Sequence, residues 1–311
     1  MIVDLASSYS AMVKFYGGDS VESPEVLSRE SELQRSVVLL DQLCEHVFSR
    51  HVADTIVYWG VKRSSGRGAW VECQNGKAYV LVDSGALLRI RACRDDPAFQ
   101  SWLASDLCPQ LLSDWMSSAI YDGTLLATFE MLGLAMLFGH ELGHLLDASC
   151  DGNMVSTSHN AFLAEEISAD GHAMQIGLQL AHSWANDQAA LGVGKQGELF
   201  QVAVVLLLIA HSMLDEIDVA VSWERDSGES HPPPSQRFVA TCVVAAERTR
   251  GLDPSFPGVA FVLAGEGLAV LGVLPGQSSL ASLEQLLDAH DDELVQQQYS
   301  ALRRALKKRR K

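Results

Sequence analysis

The sequence lacks the features expected of nucleic-acid-binding and membrane-spanning proteins. Its 311 residues contain 23 Lys and Arg against 39 Asp and Glu, which gives a formal net charge of −16. A chain this acidic repels phosphate backbones, so we expect no nucleic-acid partner. Three apolar stretches, 125–139, 200–210 and 259–274, are each interrupted or shorter than the about 20 residues that cross a bilayer. Buried helices are therefore expected in preference to membrane spans.

The six cysteines are too scattered to form a recognisable metal or disulfide framework. No two of them make a Cys-x-x-Cys pair, and most lie in apolar or helical stretches. That distribution is typical of reduced cysteines in an intracellular protein, and it argues against a thiolate-ligated zinc site. The first residues have no basic segment before an apolar core, so no secretory signal is predicted and a cytoplasmic location is expected.

Hydrophobic patterning predicts an α+β chain in which helices dominate. The segments 54–61, 69–74 and 78–83 are rich in β-branched and aromatic residues, and Asn75-Gly76 is a strong hairpin signal. They predict a small N-terminal antiparallel sheet. Helical periodicity predicts the remaining elements, over 23–50, 98–118, 123–148, 160–186, 197–217, 235–250 and 280–308.

The order of these elements predicts two lobes. We expect an N-terminal lobe with the sheet over residues 1–120 and a larger helical lobe over 121–311. One continuous domain also fits a chain of this length. The stretch 218–234 ends in three prolines and predicts a loop.

The feature that carries chemistry is the pentapeptide HELGH at residues 140–144. On a helix, residues four apart lie on one face, so the imidazoles of His140 and His144 can reach one Zn²⁺ at about 2.0–2.1 Å. Glu141 then lies beside the metal, where its carboxylate can accept a proton from an activated water. The preceding residues 125–138 are apolar, which predicts that the motif lies on a core helix.

A catalytic zinc needs a third protein ligand, and the best candidate is Glu166. Glu166 and Asp170 are four residues apart on a predicted helix and share one face. Asp170 can accept the second ring N–H of a ligating histidine and so fix its tautomer. Glu165 is the rival third ligand, although its spacing to Asp170 is less well aligned.

HELGH followed by Glu166-Ile167-Ser168-Ala169-Asp170 resembles the gluzincin clan of metallopeptidases, which pair HExxH with a downstream ExxxD helix. The Ala-Asp ending looks like the heat-shock and CAAX-prenyl membrane proteases. The resemblance implies a zincin-like helical lobe and a zinc cofactor held by His140, His144 and Glu166. It also implies Glu141 as general base and Asp170 as the carboxylate that supports a ligating histidine. This chain departs from the membrane proteases because it has no clear transmembrane segments.

A second resemblance lies in the segment 230–237, SHPPPSQR. The same membrane-protease family carries a His-Pro segment with a following Arg, and the phage-exclusion Lit peptidases have a similar arrangement. The resemblance implies that His231 stabilises the oxyanion, with Arg237 as its helper or as a structural anchor. Alternatively, His231 is a loop residue ordered by the prolines, and Arg237 pairs with an acidic neighbour.

These features predict a zinc-dependent endopeptidase that hydrolyses a protein or peptide substrate. The strand at 78–83 is expected to be the sheet edge that aligns an extended substrate. A zinc-binding protein without proteolytic activity is one alternative, in which His211 or Glu165 closes a structural or regulatory site. The intact Glu141 argues against it, because a structural site has no use for a base. A membrane-associated metalloprotease is the other alternative.

Overall fold

Helices make up most of the structure, and a three-stranded sheet lies near the N-terminus. The computed structural model describes residues 1–52, 55–66, 68–113, 123–147, 159–213, 234–249 and 256–273. The helices are α1 (Leu5–Tyr16), α2 (Pro24–Arg29), α3 (Ser31–His46), α4 (Ser84–Arg94), α5 (Pro97–Trp102), α6 (Cys108–Leu111), α7 (Thr124–Asp147), α8 (His159–Ala190), α9 (Gln196–Ser212), α10 (Pro234–Thr249) and α11 (Phe256–Val270). The strands are β1 (Ile56–Lys62), β2 (Ala69–Gln74) and β3 (Lys77–Asp83). The mostly helical α+β fold class is confirmed.

The sheet is mixed, whereas the sequence predicts an antiparallel one. β2 and β3 form the predicted hairpin, and Asn75 and Gly76 at its turn have positive φ angles of 53° and 71°. β1 pairs in parallel with β3, because the chain crosses to the far side of the sheet before β2 begins. The strand order is β1-β3-β2. The expectation that residues 78–83 form the edge is therefore wrong: β3 is the central strand, and β2 is an edge.

The two faces of the sheet pack against different helices. On one face, Val57 and Val80 are fully buried in the main core, which includes α7. On the other face, the half-buried rings of Tyr58, Trp70 and Tyr79 pack in a smaller cluster with α1. The sheet therefore lies between the N-terminal helix and the helix that carries HELGH.

The helical core is built around α7, α8 and α9, which pack on one another. Among the described helices, one span, Thr124–Leu146 in α7, is long and apolar enough to cross a membrane. In this structure 78% of its apolar window is buried inside the protein, as in the core helix of a globular fold. α7 also packs against α3, α4 and β2, so it contacts both predicted lobes. The predicted lobe boundary at 120 lies outside the described residues and stays a prediction.

Some element boundaries differ from the sequence expectation. The helix predicted over 98–118 is divided: α5 passes through a π-helical turn at Leu103–Leu107 into α6, which ends at Leu111. The sequence analysis did not predict α1 or α4, whereas α11 covers most of the apolar stretch 259–274 that was expected to form a buried helix. The loop at 218–233 and the helix over 280–308 lie outside the described residues.

A buried carboxylate interrupts the apolar surface of α7 and attaches the helix to its neighbours. The Glu130 side chain is fully buried and pairs with the guanidinium of Arg94 on α4. It also accepts a hydrogen bond of 2.8 Å from the Ser36 hydroxyl on α3. Arg35 adds a weaker contact of 3.4 Å, and its side chain is 55% exposed. Removal of the Glu130 carboxylate would leave the buried positive charge of Arg94 with less electrostatic compensation.

We expect Glu130→Ala to lower the free energy of unfolding by about 3–5 kcal/mol, as is typical when one partner of a buried pair is lost. Arg35→Ala is the matched control, and we expect it to cost less than about 1 kcal/mol because solvent screens its exposed charge. Urea unfolding monitored by circular dichroism would measure both. Equal stability losses in the two variants would contradict this account of the pair.

Candidate metal centre

The centre is formed where α7 and α8 approach each other unusually closely. A Cβ placed on Gly143 would lie 2.6 Å from the Ala169 Cα and 2.8 Å from its carbonyl oxygen. One turn away, a Cβ on Gly139 would lie 3.3 Å from the Ala173 Cα. Small residues four apart on both helices therefore let the two backbones meet. The contact brings residues of α7 and α8 within reach of the same point.

Three side-chain donors converge at this contact. The Nε2 atoms of His140 and His144 are 3.2 Å apart. Glu166 Oε2 is 3.4 Å from His140 Nε2, and Glu166 Oε1 is 3.5 Å from His144 Nε2. These residues form the group of possible metal ligands found among the described residues, with one ligand atom of each within 4.8 Å of the others. Glu165 does not belong to that group.

The donor set fits a zinc ion. Two ligands at about 2.0–2.1 Å from a tetrahedral zinc are about 3.3–3.4 Å apart, close to the three separations observed here. Two imidazole nitrogens and one carboxylate are also ligands that zinc accepts in proteins. His140, His144 and Glu166 would therefore hold the metal.

The ring tautomer of His140 suits this arrangement. A carboxylate only accepts hydrogen bonds, so the 2.9 Å contact between His140 Nδ1 and Asp170 Oδ1 places the hydrogen on Nδ1. Nε2 of His140 then carries the lone pair, and it faces the candidate ligand atoms of His144 and Glu166. Two facing lone pairs on His140 and His144 would repel each other, so a cation or a proton between them is required.

The two facing histidines have very different pKa values. Burial lowers the pKa of His140, but hydrogen bonds to Asp170 and Glu166 outweigh it and raise the pKa to about 10. Burial and the neighbouring His140 lower the pKa of His144 to about 4. In the absence of metal, His140 is therefore the charged ring and His144 the neutral one near neutral pH.

Asp170 connects the metal ligands to two further helices. It is fully buried one turn after Glu166 on α8. Arg237 on α10 donates from Nε to Oδ2 at 2.7 Å and from Nη2 to Oδ1 at 2.6 Å. His211 Nε2 on α9 is 3.1 Å from Oδ1. Burial raises the pKa of Asp170, but the nearby His211 and Arg237 outweigh it and hold the pKa well below its ordinary value.

Glu141 points to the sheet. Its residue exposure is 5%, and the backbone N–H of Val71 on β2 lies close to its carboxylate. Burial raises the pKa of Glu141 to about 7, although the charge of His140 lowers it. A carboxyl group with a pKa near neutrality can both accept and release a proton under ordinary conditions.

The structure therefore brings together His140, Glu141, His144, Glu166, Asp170 and Arg237. Of the two roles considered for Arg237, anchoring is the one that its contacts support, because its guanidinium is bound to Asp170. His231 lies outside the described residues, so its oxyanion role stays a prediction.

Sequence reasoning considered His211 as a fourth metal ligand and did not anticipate its contact with Asp170 or the proximity of Val71 to Glu141. His211 lies against Asp170 and outside the donor group, so the described contacts do not support it as a fourth ligand. Its signal in the sequence was a polar residue at the end of the apolar run 202–210. The Val71 contact uses a backbone N–H, which leaves no signal in the side-chain pattern.

Comparisons with protein-family models, with curated proteins and with solved structures give no significant match to this chain. Any functional conclusion therefore depends on the geometry and chemistry of the metal centre itself.

We expect Gly143→Ala to weaken Zn²⁺ binding by at least about tenfold, as when support around a metal ligand is lost. The added methyl group would meet the backbone of Ala169, so α7 and α8 must separate and Glu166 must move away from the histidines. Competition with a chromophoric chelator would measure the affinity.

Gly171→Ala on α8 is the matched control, because a Cβ there meets no atom within 4 Å. We expect this variant to bind Zn²⁺ as the wild type does. Wild-type affinity in Gly143→Ala would show that the close helix contact does not set the geometry of the site.

Arg237→Met should lower the free energy of unfolding by about 3–5 kcal/mol, because it removes a charge partner that donates two hydrogen bonds to the buried Asp170. Arg248→Met, on the exposed side of the same helix, should have little effect. Chemical denaturation of the metal-free proteins would compare them. If Arg237→Met kept wild-type stability and lost only activity, Arg237 would be an oxyanion or substrate contact instead of an anchor.

Proposed function

We propose that the protein is a zinc-dependent peptidase of the gluzincin type. The observation that carries the proposal is the meeting of a His140-His144-Glu166 donor set with a buried Glu141 whose pKa is raised to about 7. Three protein ligands are the number typical of a catalytic zinc, whereas structural zinc sites use four.

The chemistry divides between the metal and the chain. A bound zinc supplies Lewis acidity and lowers the pKa of a water to about 7. Glu141 accepts a proton from the attacking water and passes it to the leaving amine of the substrate. Asp170 holds the Nδ1–H of His140, which keeps the ring in the orientation that presents Nε2. The burial of Glu141 keeps bulk water from competing for its proton.

A protein or peptide is the substrate class that the sheet favours. β2 is an edge strand, and it packs against α7 beside Glu141. In the β2–β3 hairpin, the residue pair next to the turn is Gln74 with Lys77, so Val71 belongs to the alternate set whose main-chain groups point away from β3. An extended peptide added at this edge would run alongside the metal ligands and the base.

The two alternatives from the sequence are less well supported. A structural zinc site needs a fourth ligand, and neither His211 nor Glu165 joins the donor group among the described residues. A membrane-associated protease would expose apolar helices to lipid, whereas the apolar window of α7 is mostly buried within the protein. A cytoplasmic location stays a prediction from the sequence.

The proposal predicts different losses in two variants. Glu166→Ala should lose most of its zinc, because a ligand is removed. Glu141→Gln should keep its zinc and lose hydrolysis of an unfolded protein substrate such as casein by at least about a hundredfold, in the range of a lost general base. Elemental analysis after dialysis and a proteolysis assay would measure the two properties.

Glu165→Ala is the control for Glu166→Ala, since it removes the neighbouring carboxylate that lies outside the donor group. A wild-type protein that neither contains nor takes up zinc would contradict the proposal. Normal zinc content in Glu166→Ala together with loss of zinc in Glu165→Ala would identify Glu165 as the third ligand in place of Glu166. Wild-type hydrolysis by Glu141→Gln would show that Glu141 is not the general base.

A further inference from the structure

His211 ends the apolar run of α9 and lies against the metal centre without belonging to its donor group. Its residue exposure is only 4%, and the preceding residues 202–210 are all buried and apolar. A buried imidazole in such surroundings is unfavourable unless its polar atoms are compensated. An aliphatic side chain would suit the core better. The role of the His211 ring must therefore be inferred from the contacts that the ring makes.

The contact of His211 is with Asp170. Its Nε2 is 3.1 Å from Asp170 Oδ1, although the ring N–H is not well aligned with the oxygen. Because a carboxylate only accepts, Nε2 must carry the hydrogen; otherwise two lone pairs would face each other. Nδ1 has no hydrogen-bond partner within the described part of the chain. The polar interaction observed for this ring is therefore the one with Asp170.

Side chains from three helices thus meet at Asp170 Oδ1. His140 approaches it from α7 at 2.9 Å, Arg237 from α10 at 2.6 Å, and His211 from α9 at 3.1 Å. The direction of the Oδ1 lone pairs determines where the His140 Nδ1–H points. Because the ring is rigid, that direction also determines where His140 Nε2 points. A change in the surroundings of Asp170 would therefore alter the orientation of the His140 ring.

We propose that His211 is a positioning residue of the metal centre. Its Nε2–H helps to hold Asp170 in the orientation in which that carboxylate accepts the Nδ1–H of His140. His211 acts through Asp170 and does not bind the metal or the substrate. The inference rests on the proposed zinc site, and it assigns to α9 a part in metal binding although α9 supplies no ligand.

Metal affinity in the full-length protein tests this role. Loss of a partner of this kind typically weakens metal binding 10–100-fold. We expect His211→Leu and His211→Asn to weaken Zn²⁺ binding by about tenfold or more. His211→Gln should keep most of the affinity, because its amide nitrogen reaches about as far as Nε2, whereas that of Asn lies near the position of Nδ1. The visible absorption bands of the Co²⁺-loaded protein should shift in the Leu and Asn variants only.

Ser212→Ala is the matched control. Ser212 is buried next to His211, but its hydroxyl donates only within its own helix, to the Leu208 carbonyl at 3.0 Å. We expect wild-type affinity and an unchanged Co²⁺ spectrum. A general disturbance at this end of α9 would instead affect both positions.

Wild-type affinity and an unchanged Co²⁺ spectrum in His211→Leu and His211→Asn would overturn the inference and leave His211 as a core residue. If the Leu variant does not fold, the Gln and Asn variants decide: equal affinities overturn the inference, and a loss in Asn alone supports it. A wild-type protein that binds neither Zn²⁺ nor Co²⁺ would overturn the proposed function itself. The two failures are therefore distinguishable.

Discussion

The candidate metal centre depends on the close contact of α7 with α8. Gly143 lies so near the backbone of Ala169 that no larger residue fits without movement of a helix. This proximity places the two histidines of α7 and the glutamate of α8 around one point, with donor separations of 3.2–3.5 Å. A site on two tightly packed helices is held more rigidly than one on loops, because neither helix can shift without disturbing the core.

The burial of charge is the second constraint. Asp170 is inaccessible to water, and its charge is stabilised by groups on α7, α9 and α10. Removal of any one of these groups would leave a desolvated carboxylate with less compensation. The same carboxylate orients His140, so the stability of the helical core and the geometry of the metal ligands share a common residue. Glu141 lies apart from this network, close to the backbone of β2.

Local patterns explain what the sequence could predict. His140 and His144 share a helix face because they are four residues apart, and the same spacing pairs Glu166 with Asp170. The Asn75-Gly76 turn fixes the β2–β3 hairpin in the same local way. The parallel pairing of β1 with β3 depends on a chain crossover that no local pattern encodes, so the edge strand was misplaced. His211 is 41 positions beyond Asp170, and only the packing of α9 brings them together.

The central claim is that His140, His144 and Glu166 bind one zinc ion. X-ray absorption spectroscopy of the zinc-loaded protein at the zinc edge tests this claim most directly. The account predicts light-atom ligands at about 2.0–2.2 Å, with the multiple-scattering signature of two imidazoles in the wild type and of one in His144→Ala. A sulfur shell at about 2.3 Å, or the same imidazole signature in both proteins, would contradict it.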